Sequence, residues 1–227
     1  MGKKFRKKLK FKPRIKEVEF IRGRIYTHNL IKGNRVYGEK LIENGRLREW
    51  VPSRSKIGAA IMKGIKNLGI KKGSKVLYLG AASGTTASHV SDIVGKEGAV
   101  FCIDIAYRVV RDLVLVCEKR KNMFPLLADA SHPETYKAFF PIVDVVYEDV
   151  ASKNQAEILI RNCDLFLKPN GWAIIAVKAR SIDVTKKPQQ VFNEIEKKFK
   201  KHFTIIEKTK LEPFEKDHMF YVMKKIN

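Results

Sequence analysis

The stretch VLYLGAASGTTASHVSDIVGKEGAVFCID, residues 76–104, decides the fold. It opens with an unbroken apolar run over 76–80, too short for an amphipathic helix and suited to a strand buried on both faces. A turn of small residues follows, Gly80-Ala81-Ala82-Ser83-Gly84-Thr85-Thr86, then a helical segment TASHVSDIV. A second apolar run, AVFCID, closes the unit at Asp104. Strand, helix and strand in that order imply a right-handed βαβ crossover and a parallel pair.

The same rhythm runs downstream. RVVRDLVLVCEKR reads as a helix, MFPLLAD as a third strand and VDVVYED as a fourth. A helix follows over 155–167, GWAIIAVKA is a fifth strand, and a basic helix covers about 187–200. Two last strands, near 203–210 and 218–223, have only LEPFEKD between them, which leaves no room for a crossover helix. They should pair antiparallel at one edge. The expectation is an α/β, Rossmann-like fold with a seven-stranded, mostly parallel sheet.

Upstream the pattern changes. Residues 53–65, SRSKIGAAIMKGI, read as an amphipathic helix capped by Ser53 or Ser55. Residues 15–52 carry short β-prone segments around Val18, Phe20, Ile25 and Tyr26, with turn signals at Gly33-Asn34 and Asn44-Gly45. They predict a small N-terminal β domain of two or three hairpins, ending near Trp50 and Pro52. Residues 1–14, MGKKFRKKLKFKPR, form a basic arm, and residues 1–25 hold eleven Lys/Arg against two Glu. The main domain is then 53–227.

The charge narrows the partners. With 46 Lys+Arg against 24 Asp+Glu, the net charge is +22. Such one-signed charge repels itself unless a polyanion neutralises it. A heat-adapted Lys-rich surface would add acids along with bases, so nucleic acid is the better reading. No apolar run approaches the roughly 20 residues that span a bilayer, and no signal-peptide pattern is present, so a cytosolic protein without a membrane role is expected. Cys102, Cys117 and Cys163 are scattered in apolar stretches, which suggests buried thiols rather than a metal or disulfide framework.

Ligands of open α/β sheets bind beyond the C-terminal strand ends. There the sequence places the small-residue turn 80–86, Asp104, Asp129-Ala130, Glu148-Asp149-Val150, Lys178 and His218. A carboxylate after the second strand suits the two hydroxyls of a ribose. Acids at three successive strand ends argue for a nucleoside-bearing cofactor. The turn is not GxGxxG, which weakens an NAD-linked oxidoreductase reading.

These segments, with RDLV, LLADASHP, VDVVYEDVA, VKARSIDVT, LEPFEKDH and the RSK at 54–56, closely resemble the fibrillarin family along nearly the whole chain. Without a Gly/Arg-rich extension, the chain is similar to the archaeal, fibrillarin-like form. The resemblance implies a class I methyltransferase fold, S-adenosylmethionine as cofactor, and 2′-O-methylation of ribose in rRNA and tRNA. It also implies partners: a box C/D guide RNA, its target RNA, a Nop-family scaffold protein and a kink-turn-binding protein. By match to the family motifs, Gly80, Ala81 and Ala82 with Thr85 and Thr86 border the cofactor. Asp104 and Ile105 meet its ribose, Asp129 and Ala130 its adenine, and Asp149, Val150, Ala151 and Ser152 its methionine end. Lys56, Asp149, Lys178 and His218 match the catalytic Lys-Asp-Lys-His set. No metal is implied.

Three positions depart from the family pattern. Asp104 stands where Glu is usual, one methylene shorter, so a longer or water-bridged ribose contact is expected. Ile105-Ala106-Tyr107 replaces an aromatic followed by Ser, and Ser152-Lys153 replaces Gln-Pro. In the implied reaction Lys178 stabilises the charge growing on the ribose oxygen or accepts its proton. Asp149 orients Lys178 and favours the cationic sulfonium, while Lys56 and His218 position the ribose and phosphate. Two rivals keep the fold: a stand-alone RNA 2′-O-methyltransferase needing no guide, and a non-catalytic RNA-binding subunit.

Overall fold

The computed structural model describes residue 15 and residues 17–226; the basic arm over 1–14 lies outside the described residues. A four-stranded antiparallel sheet comes first, built from β1 (Val18–Ile21), β2 (Arg24–His28), β3 (Leu41–Ile42) and β4 (Leu47–Trp50) in the order β1-β2-β4-β3. The β1–β2 turn is Arg22-Gly23, both at positive φ (49° and 79°). That is the twist a two-residue hairpin requires. The Gly33-Asn34 signal makes no hairpin of its own. It lies in the loop between β2 and β3, where Gly33 N–H donates to the Gly45 carbonyl at 3.1 Å. A Cβ on Gly45 would lie 2.7 Å from the Gly33 backbone, so the loop folds tightly onto the Asn44-Gly45 turn.

Helix α1 (Lys56–Met62) takes Ser55 as its cap, with the Ser55 hydroxyl accepting from Gly58 N–H at 3.1 Å. Ser53, the other candidate, belongs to the 3-10 turn Pro52–Arg54. The helix stops short of the expected residue 65 because Gly64 turns the chain at φ 105°.

The main sheet has seven strands: β5 (Lys75–Leu79), β6 (Ala99–Asp104), β7 (Met123–Leu127), β8 (Val143–Glu148), β9 (Leu167–Lys178), β10 (Phe203–Lys210) and β11 (His218–Lys225). Their order is β10-β11-β9-β8-β5-β6-β7. Strands β5 to β9 pair in parallel. β11 is antiparallel to both neighbours and lies between β9 and β10. Pro125, which cannot donate to a ladder, sits on the edge strand β7. Helices α2 (Thr85–Val94), α3 (Tyr107–Lys119), α4 (Gln155–Phe166) and α6 (Pro188–Phe199) cover the faces, and a short α5 (Ala179–Ile182) follows β9. Along β5, Val76 and Tyr78 enter one core and Leu77 and Leu79 the other, which explains its unbroken apolar run.

Helix α2 is buried from Thr86 to Val94 because the N-terminal sheet covers the side turned away from the main sheet. Its polar residues are therefore paired. Arg48 of β4, wholly buried, donates to Asp92 Oδ2 at 2.6 Å, Glu39 Oε1 at 2.5 Å and the Ser88 hydroxyl at 2.7 Å. Arg120 reaches Asp92 Oδ1 at 2.7 Å. His89 stacks on Trp50 with ring centroids 4.8 Å apart, and burial, with Arg48 and Arg120 adding, pushes its pKa far down, so it is neutral. His132 and His202 are exposed, and all three cysteines are buried and free. Among the described residues no helix is long and apolar enough to cross a membrane.

Candidate cofactor and catalytic site

The strand order reverses at β5, whose neighbours β6 and β8 lead the chain in opposite directions across the sheet. A crevice must open there between the diverging connections. It contains a cavity of about 320 Å³, lined by Gly80, Ala82, Ile103, Asp104, Ile105, Ala128, Asp129, Ala130, Asp149, Val150 and Ala151. Nine of the sequence-derived residues thus meet in one place. Ile103 and Ala128 were not anticipated, since nothing in an apolar strand end separates wall from core. Ala81 sits behind the wall, donating its N–H to Ile103 at 3.0 Å. Thr85 and Thr86 open helix α2, with Thr86 buried. Ser152 lies in the turn before α4, where its hydroxyl accepts from Asn154 N–H at 3.1 Å.

Gly80 has a steric reason. At φ 80°, a Cβ there would stand 2.7 Å from the Asp149 carbonyl, so only glycine lets the first and fourth strand ends approach. Ala82 is held at φ 47°, a costly conformation for a residue with a Cβ. Asp104 fixes it: one carboxylate oxygen accepts from Ala82 N–H at 2.8 Å and the other from Ala106 N–H at 2.9 Å. One side chain therefore shapes the loops after both β5 and β6. The short reach of Asp suits this bracing task, with lone pairs left over for a ribose. We expect Asp104→Ala to weaken S-adenosylmethionine binding about 10- to 100-fold, the equivalent of one or two charge-assisted hydrogen bonds. Asp104→Asn should lose less, and titration calorimetry of the three proteins would measure both. Equal affinities would remove the bracing role.

Asp129 accepts from the Ser131 hydroxyl at 2.7 Å and its N–H at 2.8 Å, which hold its carboxyl below the usual range. Asn162, buried in α4, donates to the Ala130 carbonyl at 2.8 Å and so fixes the facing turn.

The proposed catalytic residues form two pairs. Lys56, at the start of α1, puts its ammonium 2.8 and 3.0 Å from the two oxygens of Asp149, across 93 residues of sequence. Asp149 thus engages Lys56, and the expected orienting contact to Lys178 is not made. Burial holds the Asp149 carboxyl above its usual range, and the Lys56 ammonium offsets part of that rise. The second pair comes from antiparallel register, which sets His218 of β11 directly opposite Lys178 of β9. His218 is buried and its Nδ1 lies 2.7 Å from the Lys216 carbonyl. A carbonyl only accepts, so Nδ1 carries the hydrogen, which leaves Nε2 as the ring nitrogen open to a ligand. The exposed Lys178 ammonium has no ion pair among the described residues.

Glu148, one residue before Asp149, points to the opposite face of β8. It is wholly buried and neither oxygen has a hydrogen-bond partner among the described residues. Burial, with Asp149 and Glu157 adding, pushes its carboxyl far up, so it is protonated at neutral pH. Neighbouring acids therefore differ in partners: Glu148 has none in the core among the described residues, while Asp149 is ion-paired with Lys56 at the crevice.

Comparison with known proteins bears out the fold. A model of the fibrillarin family matches residues 11–227. A fibrillarin-like rRNA/tRNA 2′-O-methyltransferase of Pyrococcus horikoshii is 56% identical over 204 residues, 89% of this chain and 90% of the relative. The crystal structure of Aeropyrum pernix fibrillarin with natively bound S-adenosyl-L-methionine superposes with a TM-score of 0.81 at 44% identity, covering 88% of each chain. A fibrillarin/Nop5p complex superposes with a TM-score of 0.86 at 40% identity, over 96% of this chain and all of the other.

Proposed function

Because this chain belongs to the fibrillarin family, we propose that it transfers the methyl group of S-adenosylmethionine to ribose 2′-hydroxyls of RNA, as the catalytic subunit of a cytosolic box C/D guide ribonucleoprotein. The observation that carries this reading is the convergence of Gly80, Asp104, Asp129 and Asp149 on one crevice at the switch point.

The residues present fit the cofactor. Gly80 lets the turn after β5 close against the Asp149 carbonyl and line the cavity, Asp104 offers a carboxylate for a ribose, and the Asp129-Ala130 turn offers polar backbone for an adenine edge. Asp149, a carboxyl group in the cavity wall, suits a cationic methionine end. When bound, S-adenosylmethionine supplies a methyl group made electrophilic by its sulfonium.

The residues of the chain do the rest. A hydroxyl is a weak nucleophile at neutral pH, so its oxygen needs stabilisation as charge develops. Lys178, uncommitted to any carboxylate, supplies that charge or accepts the proton. Lys56 holds Asp149 in an ion pair, and His218 Nε2 hydrogen-bonds the substrate. Most of the rate gain comes from alignment of donor and acceptor. A Nop-family scaffold, a kink-turn-binding protein and guide RNA complete the enzyme and select the target nucleotide. Surplus cationic charge supplies sequence-independent affinity for phosphates.

The test is transfer of labelled methyl to RNA, with and without guide RNA and the two proteins. Label at a 2′-oxygen in the full mixture alone is expected. Label on bare RNA would make this a stand-alone methyltransferase, and cofactor-free RNA binding with no label would make it a structural subunit.

A further inference from the structure

Gln155 belongs to neither pair, nor to the cavity wall. Yet it is almost wholly buried, at 1% exposure. Its side-chain amide makes two hydrogen bonds, both to backbone. Nε2 donates to the Val150 carbonyl at 2.5 Å, and Oε1 accepts from Lys178 N–H at 3.1 Å. Val150 follows Asp149 and lines the cavity. Lys178 is the residue assigned to the attacking oxygen. One side chain therefore ties together the ends of the two strands that carry these groups.

The register shows what that tie replaces. β8 and β9 pair in parallel as far as Glu148 with Ile175. Continued by two residues, the ladder would set Val150 beside Val177, and its next rung would join the Val150 carbonyl to the Lys178 N–H. The strands have separated there, and that rung is too long to close directly. The Gln155 amide has the same donor and acceptor as a peptide group and is inserted into the rung. It satisfies both backbone groups while holding the strands apart. Because Gln155 is the first residue of α4, and α4 is packed on both β8 and β9, the spacer is mounted on a rigid element.

We propose that Gln155 is a positioning residue for methyl transfer, whose inserted amide sets the gap between the Asp149 and Lys178 strand ends and so the alignment of methyl donor and attacking ribose. This rests on the reading of the crevice given under Proposed function. It touches neither cofactor nor RNA. Losing it should disturb alignment more than binding, since displacement by about 1 Å costs on the order of 100-fold in rate.

Two variants probe the spacer in the assembled, guided enzyme. Gln155→Met keeps the volume and removes both hydrogen bonds, whereas Gln155→Glu keeps the acceptor for Lys178 N–H and, protonated in so buried a place, can still donate to the Val150 carbonyl. We expect kcat to fall about 30- to 100-fold in Gln155→Met and less in Gln155→Glu, with cofactor Kd and RNA KM within about threefold of wild type. Amide hydrogen exchange at Lys178 should speed up in Gln155→Met and stay slow in Gln155→Glu, a readout independent of turnover. Wild-type kcat in both variants overturns the inference. So does a fall in kcat matched by an equal rise in cofactor Kd, which marks a merely structural residue. If Gln155→Met does not fold, Gln155→Glu decides alone by the same split between kcat and Kd. Absence of transfer by the wild-type mixture would overturn the functional reading first, and the inference with it.

Discussion

Lys178→Ala should bind S-adenosylmethionine as tightly as the wild type and transfer methyl about 100- to 1,000-fold more slowly in the assembled enzyme. The range is that of losing one preorganised group at an oxygen that gains charge in the transition state. The structure gives the reason for singling out this lysine. Lys56 is already committed to Asp149 at 2.8 Å, whereas Lys178 has no ion pair among the described residues. A cation held by a carboxylate has spent much of its field; an uncommitted one has not. Lys178 also lies outside the residues lining the cavity, so cofactor affinity should survive its loss. Lys178→Arg separates the two roles it can play. Arginine keeps the charge but gives up no proton at neutral pH. Recovery to within about tenfold of wild type would assign Lys178 to charge stabilisation, and no recovery would assign it to proton acceptance. Near-normal transfer by Lys178→Ala would remove it from the catalytic set.

Arg48→Met should destabilise the protein by about 3–5 kcal/mol. For a chain of this size that is a fall of roughly 10 °C in melting temperature. The guanidinium is wholly buried and serves Glu39, Asp92 and Ser88 together. Methionine fills the volume but leaves Glu39 with backbone donors alone, from Val36 and Tyr37, in a site without water access. A buried charge stripped of its partner is among the costliest defects a fold can carry. The surface pair Arg24–Glu49 is the control. At 2.8 Å it is as short as many buried pairs, but the Arg24 side chain is 59% exposed, and Arg24→Ala should cost less than about 1 kcal/mol. Thermal melts of the three proteins give the comparison, and equal melting temperatures would refute the argument. Ser88 donates to the Thr85 carbonyl at 2.8 Å, so the same defect reaches the first turn of α2 beside the cofactor loop.

The parallel sheet was legible because burial on both faces forces apolar runs of strand length, and the lack of a helical segment between 210 and 218 forces an antiparallel pair. The acids after β6, β7 and β8 were legible because parallel strands deliver their C-terminal ends to one rim. Tertiary pairing was not. Nothing near Lys56 announces a partner 93 residues away, and Asp149 was expected to serve Lys178. The β1–β2 turn was missed because Arg22 occupies a positive φ that Asn or Gly usually takes. Gln155 carried no signal, since a glutamine opening a helix reads as solvent-facing until the neighbouring strands are in place. Glu148 stood beside Asp149 with nothing in the sequence to tell them apart; strand alternation buries the first without a partner among the described residues and brings the second to Lys56.

The insertion of β11 between β9 and β10 imposes an order on synthesis. The ribosome makes β9 and then β10, yet β10 has no rung to join until the later β11 arrives to bridge them. A nascent chain that has reached Lys178 therefore holds the crevice residues but lacks the strand that sets His218 opposite Lys178. At about 5–20 residues per second, that unfinished interval lasts a few seconds, during which β9 is an open, apolar edge. Only β11 closes that edge and sets His218 opposite Lys178, so the chain completes this rim and covers an apolar edge in a single step of synthesis.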